Sequence, residues 1–337
     1  MSTSNFYQRL ETNDLKPEKI SPLNCCGRTK FPVLGRSLRC NSYWFYNLVA
    51  SLLHLLNVVL MIVLFYTPDE DGIAQKDVCY NLHVPYASWE ATGNTTNIEE
   101  PGFIITQNKV STHSLSLHWL IVGFHLLSFI FQFVVILIDR ASPCKIKWLC
   151  FKNINYSYID LVENNGINPL RFIEYAISAS IMLVCIALLT GIRNEFEIIM
   201  ISVLCAVTQL FGLIAEVTTS RVIRLVVHVA GWASLMTAYG VIWGYYTVAN
   251  YQASLLDPPR TAPDIVHLIV ILLFILFNTF GIIQLTQMYC KGIDRLSFFY
   301  RWIGAEAELS YVMMSLIAKS LLGWLIYANV LVMAQKC

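Results

Sequence analysis

The stretch AELSYVMMSLIAKSLLGWLIYANVLVM, residues Ala307–Met333, decides how the rest of the chain is interpreted. It is apolar and long enough to cross a membrane as a helix, which takes about 20 residues. Lys319 stands near its middle and is the only lysine within an apolar stretch of this sequence. A lysine at mid-bilayer is costly unless it is paired, neutral or covalently used, and snorkelling works only near helix ends. The position therefore indicates an ion or substrate ligand, or a Schiff base to an aldehyde cofactor.

Composition places the whole chain in a membrane. Hydrophobic residues make up 56% of the 337 residues and charged residues only 13%, which excludes an ordinary soluble protein. We expect an all-α fold, a bundle of seven transmembrane helices, with residues 1–43 as a tail, residues 44–334 as the membrane domain and residues 67–114 as a long loop between the first two helices. The predicted spans are Trp44–Tyr66, Leu115–Ile138, Leu170–Ile192, Phe196–Val217, Val222–Val248, Ile265–Tyr289 and Ala307–Met333.

The distribution of lysine and arginine predicts the orientation. Of the 23 basic residues, 16 fall on the side of the N-terminus and five on the other side, while Arg171 and Lys319 lie inside spans. Cytoplasmic loops carry the excess of lysine and arginine. We therefore expect a cytoplasmic N-terminus and an extracellular C-terminus.

The segments outside the spans offer little chemistry. The long loop is expected to hold a β-hairpin or a dimer contact, and Asn94 begins a glycosylation sequon on the outer side. Only Cys79 and Cys337 fall on the outer side, which argues against a disulfide framework, and no spacing of ligands suggests a metal site. The net charge of +1 gives no indication of nucleic-acid binding.

A buried lysine needs an opposite charge, and the spans offer Glu174 and Glu216. Side chains lean toward the start of their helix, so an extended Lys319 can approach Glu174. Ser315, one turn earlier on the same face, can share the hydrogen bonding, and Arg171, one turn before Glu174, is expected to keep that carboxylate ionised. The alternative is that Glu216 is the partner and Glu174 pairs with Arg171.

Two histidines and an aromatic stripe complete the candidate site. His54 and His125 lie in the first two spans, and together with Lys319 and Glu174 they indicate proton handling. The sixth span carries aromatic residues and one glutamine at spacings of three and four, a pattern typical of plain packing but also of a cofactor wall. These residues are Phe274, Phe277, Phe280 and Gln284.

With these residues in place, the sequence resembles the heliorhodopsins, retinal-binding rhodopsins of inverted orientation. The resemblance covers all seven helices and is carried by RFIEYAISASIM (Arg171–Met182) and SLIAKSLLGW (Ser315–Trp324), by His54 and His125, and by the long first loop. It implies all-trans retinal on Lys319, Glu174 as the Schiff-base counter-ion and Ser315 beside the Schiff base. It also implies that His54 and His125 form a polar cluster on the cytoplasmic side. The remaining pocket residues that the resemblance suggests are Arg171, Tyr175, Trp243, Phe274, Phe277, Gln284 and Trp324.

The resemblance implies a non-enzymatic light sensor with a slow signalling photocycle, in the plasma membrane, surrounded by lipid, as a homodimer with an unidentified signalling partner. A pump needs carboxyl groups leading to both surfaces, and the spans offer none in their outer halves. A light-gated proton or ion channel is the first alternative. The second is a receptor or transporter without retinal, in which Lys319 binds an anionic ligand.

Overall fold

A computed structural model describes residues 38–67, 79–92, 102–140, 162, 167–261, 263–289 and 307–328. The chain divides into two compact units, Met1–Asn41 and Ser42–Cys337. The second unit contains all the apolar segments that can cross a membrane among the described residues. Most of the predicted tail and the sequon at Asn94 lie outside the described residues.

The described part of the chain contains seven helices, and each has a segment apolar and long enough to cross a membrane. The prediction of a seven-helix membrane bundle is confirmed. The fifth helix runs further than expected, to Ser254, and ends shortly before Pro258 and Pro259, which cannot continue a helix. The helices are α1 (Leu38–Tyr66), α2 (Leu117–Arg140), α3 (Pro169–Leu189), α4 (Glu195–Val217), α5 (Arg221–Ser254), α6 (Asp264–Tyr289) and α7 (Ala307–Ile326).

Helix α3 lies at the centre of the bundle. In its apolar span 72% of the residues are buried inside the protein, against 28% to 44% for the other six spans. Its start is fixed by Asn168, whose side chain accepts a hydrogen bond from the Arg171 backbone N–H at 3.1 Å, and by Pro169 at the first helical position. Residues near the start of α3 are therefore held rigidly in the interior.

A β-hairpin follows α1 and confirms one of the two expectations for the long loop. Strands β1 (Cys79–Thr92) and β2 (Gly102–Ser116) pair antiparallel, and β2 leads directly into α2. The hairpin packs on the loop between α3 and α4: the His83 backbone N–H donates to the Arg193 carbonyl at 2.9 Å, and the Arg193 guanidinium lies 4.0 Å from the centre of the Tyr80 ring. We call this the hairpin end of the bundle. The opposite end is where α3, α5 and α7 begin.

Candidate functional site

Lys319 is buried, and its ammonium group is surrounded by hydrogen-bond acceptors. The residue is 2% exposed, and its Nζ donates to Oε1 of Glu174 at 2.8 Å and to Oγ of Ser315 at 2.9 Å. It also contacts Oγ of Ser128, which donates to Glu174 at 2.6 Å. An ammonium group has three N–H donors, so each finds an acceptor. The buried cation is therefore fully compensated.

Three helices supply this cluster, and the side chain of Lys319 leans so that its Nζ reaches the residues of the other two helices. Lys319 and Ser315 lie one turn apart on α7, Glu174 lies on α3 and Ser128 on α2. The extended lysine reaches toward the start of α7, as the direction of helical side chains requires. The structure thus brings together the three residues expected from the sequence, and it adds Ser128. The only sequence signal for Ser128 was its position three residues after His125, on the same face of α2.

A second buried ion cluster lies at the start of α3. Arg171 is 5% exposed, and its two terminal nitrogens donate to Glu216 on α4 and to Glu308 on α7. Asn168 donates from its amide to Glu308 at 2.8 Å and from its backbone to Glu216 at 3.3 Å. The guanidinium lies 3.8 Å from the centre of the Tyr311 ring. The cluster ties three helices together at the end opposite the hairpin.

This arrangement corrects the expectation for Arg171. The arginine does not pair with Glu174, because the carboxylates of Glu216 and Glu308 take both of its terminal nitrogens. For the same reason Glu216 is not the partner of Lys319. Glu308 was missed although it belongs to the final apolar stretch, where it stands in the first turn of α7.

A cavity lies among α3, α4, α5, α6 and α7, with Lys319 in its wall. Its lining is largely apolar and aromatic. Seven of the residues singled out from the sequence are part of it: Arg171, Tyr175, Phe277, Phe280, Gln284, Ser315 and Lys319. The others that line it are Phe172, Ser178, Ala179, Met182, Thr208, Gln209, Gly212, His228, Gly231, Trp232, Leu235, Gly281, Tyr311 and Ala318.

Three expected pocket residues do not line this cavity. Trp243 is 45% exposed and Phe274 is 37% exposed, on the outer faces of α5 and α6. Trp324 lies on α7 beyond Lys319, and its indole N–H donates to Oδ1 of Asn57 on α1 at 2.9 Å. Phe277 faces inward while Phe274 does not, since residues three apart on a helix differ in direction by about 60°. The wall is completed instead by Trp232, which was not among the expected pocket residues.

His54 and His125 form a pair outside the cavity lining. Their Nδ1 atoms are 3.0 Å apart, and both residues are fully buried. A Cβ atom added at Gly323 would lie 3.1 Å from Nε2 of His125. Gly323 follows Lys319 by one turn, so the pair lies on the hairpin side of the lysine. Here α2 runs opposite to α7 and brings His125 nearer than Ser128 to the hairpin. If the predicted orientation holds, this is the extracellular side of Lys319 and not the cytoplasmic side that the resemblance implies.

The matching family model and the similar solved structures agree with each other. The family model described as Heliorhodopsin matches residues 43–331. No curated protein matches the sequence. Among solved structures, thermophilic rhodopsin from Rubrobacter xylanophilus is similar with a TM-score of 0.51 at 14% identity, over 85% of this chain and 95% of that one.

Two further structures show the same likeness. The transmembrane domain of Salpingoeca rosetta rhodopsin phosphodiesterase has a TM-score of 0.51 at 11% identity, covering 84% of this chain and 83% of that one. The light-driven proton pump LR (Mac) from Leptosphaeria maculans has a TM-score of 0.50 at 13% identity, covering 88% and 97%. At such identities these structures establish the rhodopsin fold alone. The family match spans almost the whole membrane domain, and this retinal-binding, light-responsive multi-pass membrane protein belongs to the heliorhodopsin family.

Proposed function

We propose that the protein is a light sensor in which Lys319 carries retinal as a Schiff base, Glu174 is the counter-ion, and the response is a slow signalling photocycle. The observation that carries the proposal is the buried Lys319–Glu174 pair, with 2.8 Å between Nζ and Oε1 and with Lys319 in the wall of the cavity. A buried ionisable pair inside a membrane bundle marks a functional site by default.

The cavity suits a retinal. Its lining is largely apolar and aromatic, as is typical of pockets that hold small molecules and cofactors. Phe277, Phe280 and Trp232 supply aromatic walls, and Met182 and Leu235 supply apolar ones. A primary amine in the wall of an apolar cavity is the nucleophile that an aldehyde needs to form an imine. The residues present therefore fit the cofactor that the family implies.

Retinal, when bound, supplies the absorption of visible light and the isomerisation that follows. The chain supplies the electrostatics at the Lys319 nitrogen. Glu174 holds a negative charge beside that nitrogen and keeps a positive charge on it. Ser128 and Ser315 orient the carboxylate and the nitrogen, and the Tyr175 ring, with its centre 5.2 Å from Nζ, stabilises the cation further.

The same contacts link light to a helix rearrangement. The hydrogen bonds at the Lys319 nitrogen join α7 to α3 through Glu174 and to α2 through Ser128. A change in the direction of the nitrogen's bond alters this pairing, and a local charge and packing change of this kind biases a bundle toward another arrangement. We propose that this rearrangement is the signal. We also propose that the cofactor is all-trans before illumination and that the protein lies in the plasma membrane. A homodimer and a signalling partner remain predictions.

A light-gated proton conductance is the second candidate. The observation in its favour is that polar groups lie on both sides of Lys319: the His54–His125 pair toward the hairpin end and the Arg171 cluster toward the opposite end. In the described residues the buried carboxylates Glu174 and Glu216 both lie on the side away from the hairpin. That asymmetry favours a sensor over a pump, which needs carboxyl groups toward both surfaces.

The test is reconstitution of the purified full chain with all-trans retinal. We expect a visible absorption band in the wild type and none in Lys319→Ala or Lys319→Arg, because an arginine cannot form the imine. A visible band that survives acid denaturation in either variant would contradict the assignment. Photocurrent under voltage clamp separates the two candidates, since a steady current requires a conducting pathway.

A further inference from the structure

A short hydrogen-bonded network in the cavity wall, formed by His228, Gln284 and the Gly212 carbonyl, has no part in the photochemistry proposed for Lys319. It lies on α4, α5 and α6. Nδ1 of His228 is 3.1 Å from Oε1 of Gln284, and Nε2 of Gln284 donates to the Gly212 carbonyl at 2.8 Å. His228 is 5% exposed and Gln284 is 7% exposed, and both line the cavity. These bonds place polar groups in the α5 wall, across the cavity from α7.

The bonds of Gln284 determine which nitrogen of His228 carries the proton. Because its amide N–H₂ donates to the Gly212 carbonyl, its amide oxygen faces the imidazole. Nδ1 of His228 must then be the N–H donor, and Nε2 is left as the acceptor. In the described part of the chain no carboxylate bonds to this imidazole, and a buried unpaired cation would be costly. The ring is therefore neutral, with its lone pair on Nε2.

Nε2 of His228 is buried and has no hydrogen-bond partner among the described residues. An unsatisfied buried acceptor costs free energy, so its presence in a cavity wall suggests an electrostatic task toward the occupant of the cavity. The lone pair is the negative end of the imidazole dipole. In a low-dielectric interior such a dipole acts strongly over a few ångströms.

We propose that His228, held in this tautomer by Gln284, is the residue that sets the absorption wavelength from the far end of the chromophore. The proposal rests on retinal at Lys319. Excitation of a conjugated chain that ends in a cationic nitrogen moves positive charge away from that nitrogen. A lone pair at the α5 wall stabilises the excited state more than the ground state, which lowers the excitation energy and moves the absorption to longer wavelength.

The experiment compares the absorption maxima of reconstituted full-length variants. We expect His228→Phe to form the pigment with its maximum at shorter wavelength, and Gln284→Leu to shift less in the same direction because the tautomer is no longer held. Thr237→Val is the matched control, since Thr237 is exposed on α5 and bonds only to its own helix, at Ala233. A maximum that is unchanged, or that moves to longer wavelength, in His228→Phe would overturn the proposal.

A second measurement does not depend on the pigment. Nitrogen-15 spectra of the chain without retinal, compared with those of His228→Phe, report the tautomer of His228, and we expect an unprotonated Nε2. A protonated Nε2 would overturn the proposal even where a variant folds poorly. Failure of the proposed function would look different, because the wild type would then form no visible band at all.

Discussion

The protein has two buried ion clusters that share α3 and α7 yet differ in kind. At one, the ammonium of Lys319 meets one carboxylate, Glu174, and two hydroxyls. At the other, the guanidinium of Arg171 meets the two carboxylates of Glu216 and Glu308. A lysine amine shifts its protonation readily and forms covalent imines, whereas a guanidinium stays charged at all accessible pH.

The difference indicates that one cluster has a chemical role and the other a structural role. The lysine cluster borders the cavity with a group that can react, and its charges balance. The arginine cluster has two carboxyl groups for one guanidinium and is fixed by Asn168 at the start of α3. We infer that the first cluster responds to light and that the second holds α3, α4 and α7 in register while it does so.

The largest expected effect is in the accessibility of tags at the two termini, which is all or none. It determines which of the two clusters lies nearer the cytoplasm. The 16-to-five distribution of basic residues predicts a cytoplasmic N-terminus. We expect a tag at Met1 to be accessible only after permeabilisation and a tag at Cys337 to be accessible on intact cells. This would place the Arg171 cluster on the cytoplasmic side of Lys319. The reverse labelling pattern would contradict the orientation.

The next test exchanges one carboxylate in each cluster. Glu174→Gln removes the negative partner of a buried cation, so the visible band should be lost at lower pH than in the wild type. Each pH unit of that change corresponds to about 1.4 kcal/mol. Glu216→Gln is the matched control and should titrate like the wild type, since Glu216 pairs with Arg171. An unchanged titration in Glu174→Gln with a large change in Glu216→Gln would reverse the roles of the two clusters.

Removal of the arginine should act on stability rather than on colour. Arg171→Met leaves two carboxylates in the interior without their cation, which typically costs about 3–5 kcal/mol. We expect a clear drop in the thermal unfolding temperature of the pigment with the visible band retained. Glu308→Gln should cost less, because its side chain is 16% exposed and Arg171 keeps Glu216. Full loss of pigment in folded Arg171→Met would show that the arginine takes part in binding.

The smallest effect concerns the cavity wall. A Cβ atom at Gly281 would overlap the indole of Trp232, so Gly281→Ala must displace that ring. Overpacking of this kind typically costs about 1–3 kcal/mol, and we expect slower pigment formation. Gly240→Ala is the control, because a Cβ atom there meets nothing within 4 Å. If Trp232→Leu fails to restore the rate in Gly281→Ala, the contact is not the cause.

Long-range features of the fold could be predicted because they depend on few signals. Spans of apolar residues determine the seven helices, and the scarcity of charges inside them leaves few partners for Lys319. The direction in which helical side chains lean then favours Glu174. The hairpin was one of two expectations for the long loop and is confirmed, while the dimer contact stays a prediction.

The details depend on helix rotation, which the sequence does not encode locally. Arg171 and Glu174 lie three residues apart, yet one faces Glu216 and the other faces Lys319. Phe274 and Phe277 divide between the outer face and the cavity for the same reason. Small angular differences between packed helices decide such choices, and they are set by the whole bundle rather than by spacing along one helix.

The most direct test of the central claim is to locate the retinal on the chain. The pigment is reduced with borohydride, which fixes an imine as a stable amine, and is then digested and analysed by mass spectrometry. We predict the added mass of retinal on the peptide that contains Lys319, and its absence from that peptide in Lys319→Ala. The added mass on any other lysine, or a visible pigment that leaves Lys319 unmodified, would contradict the account.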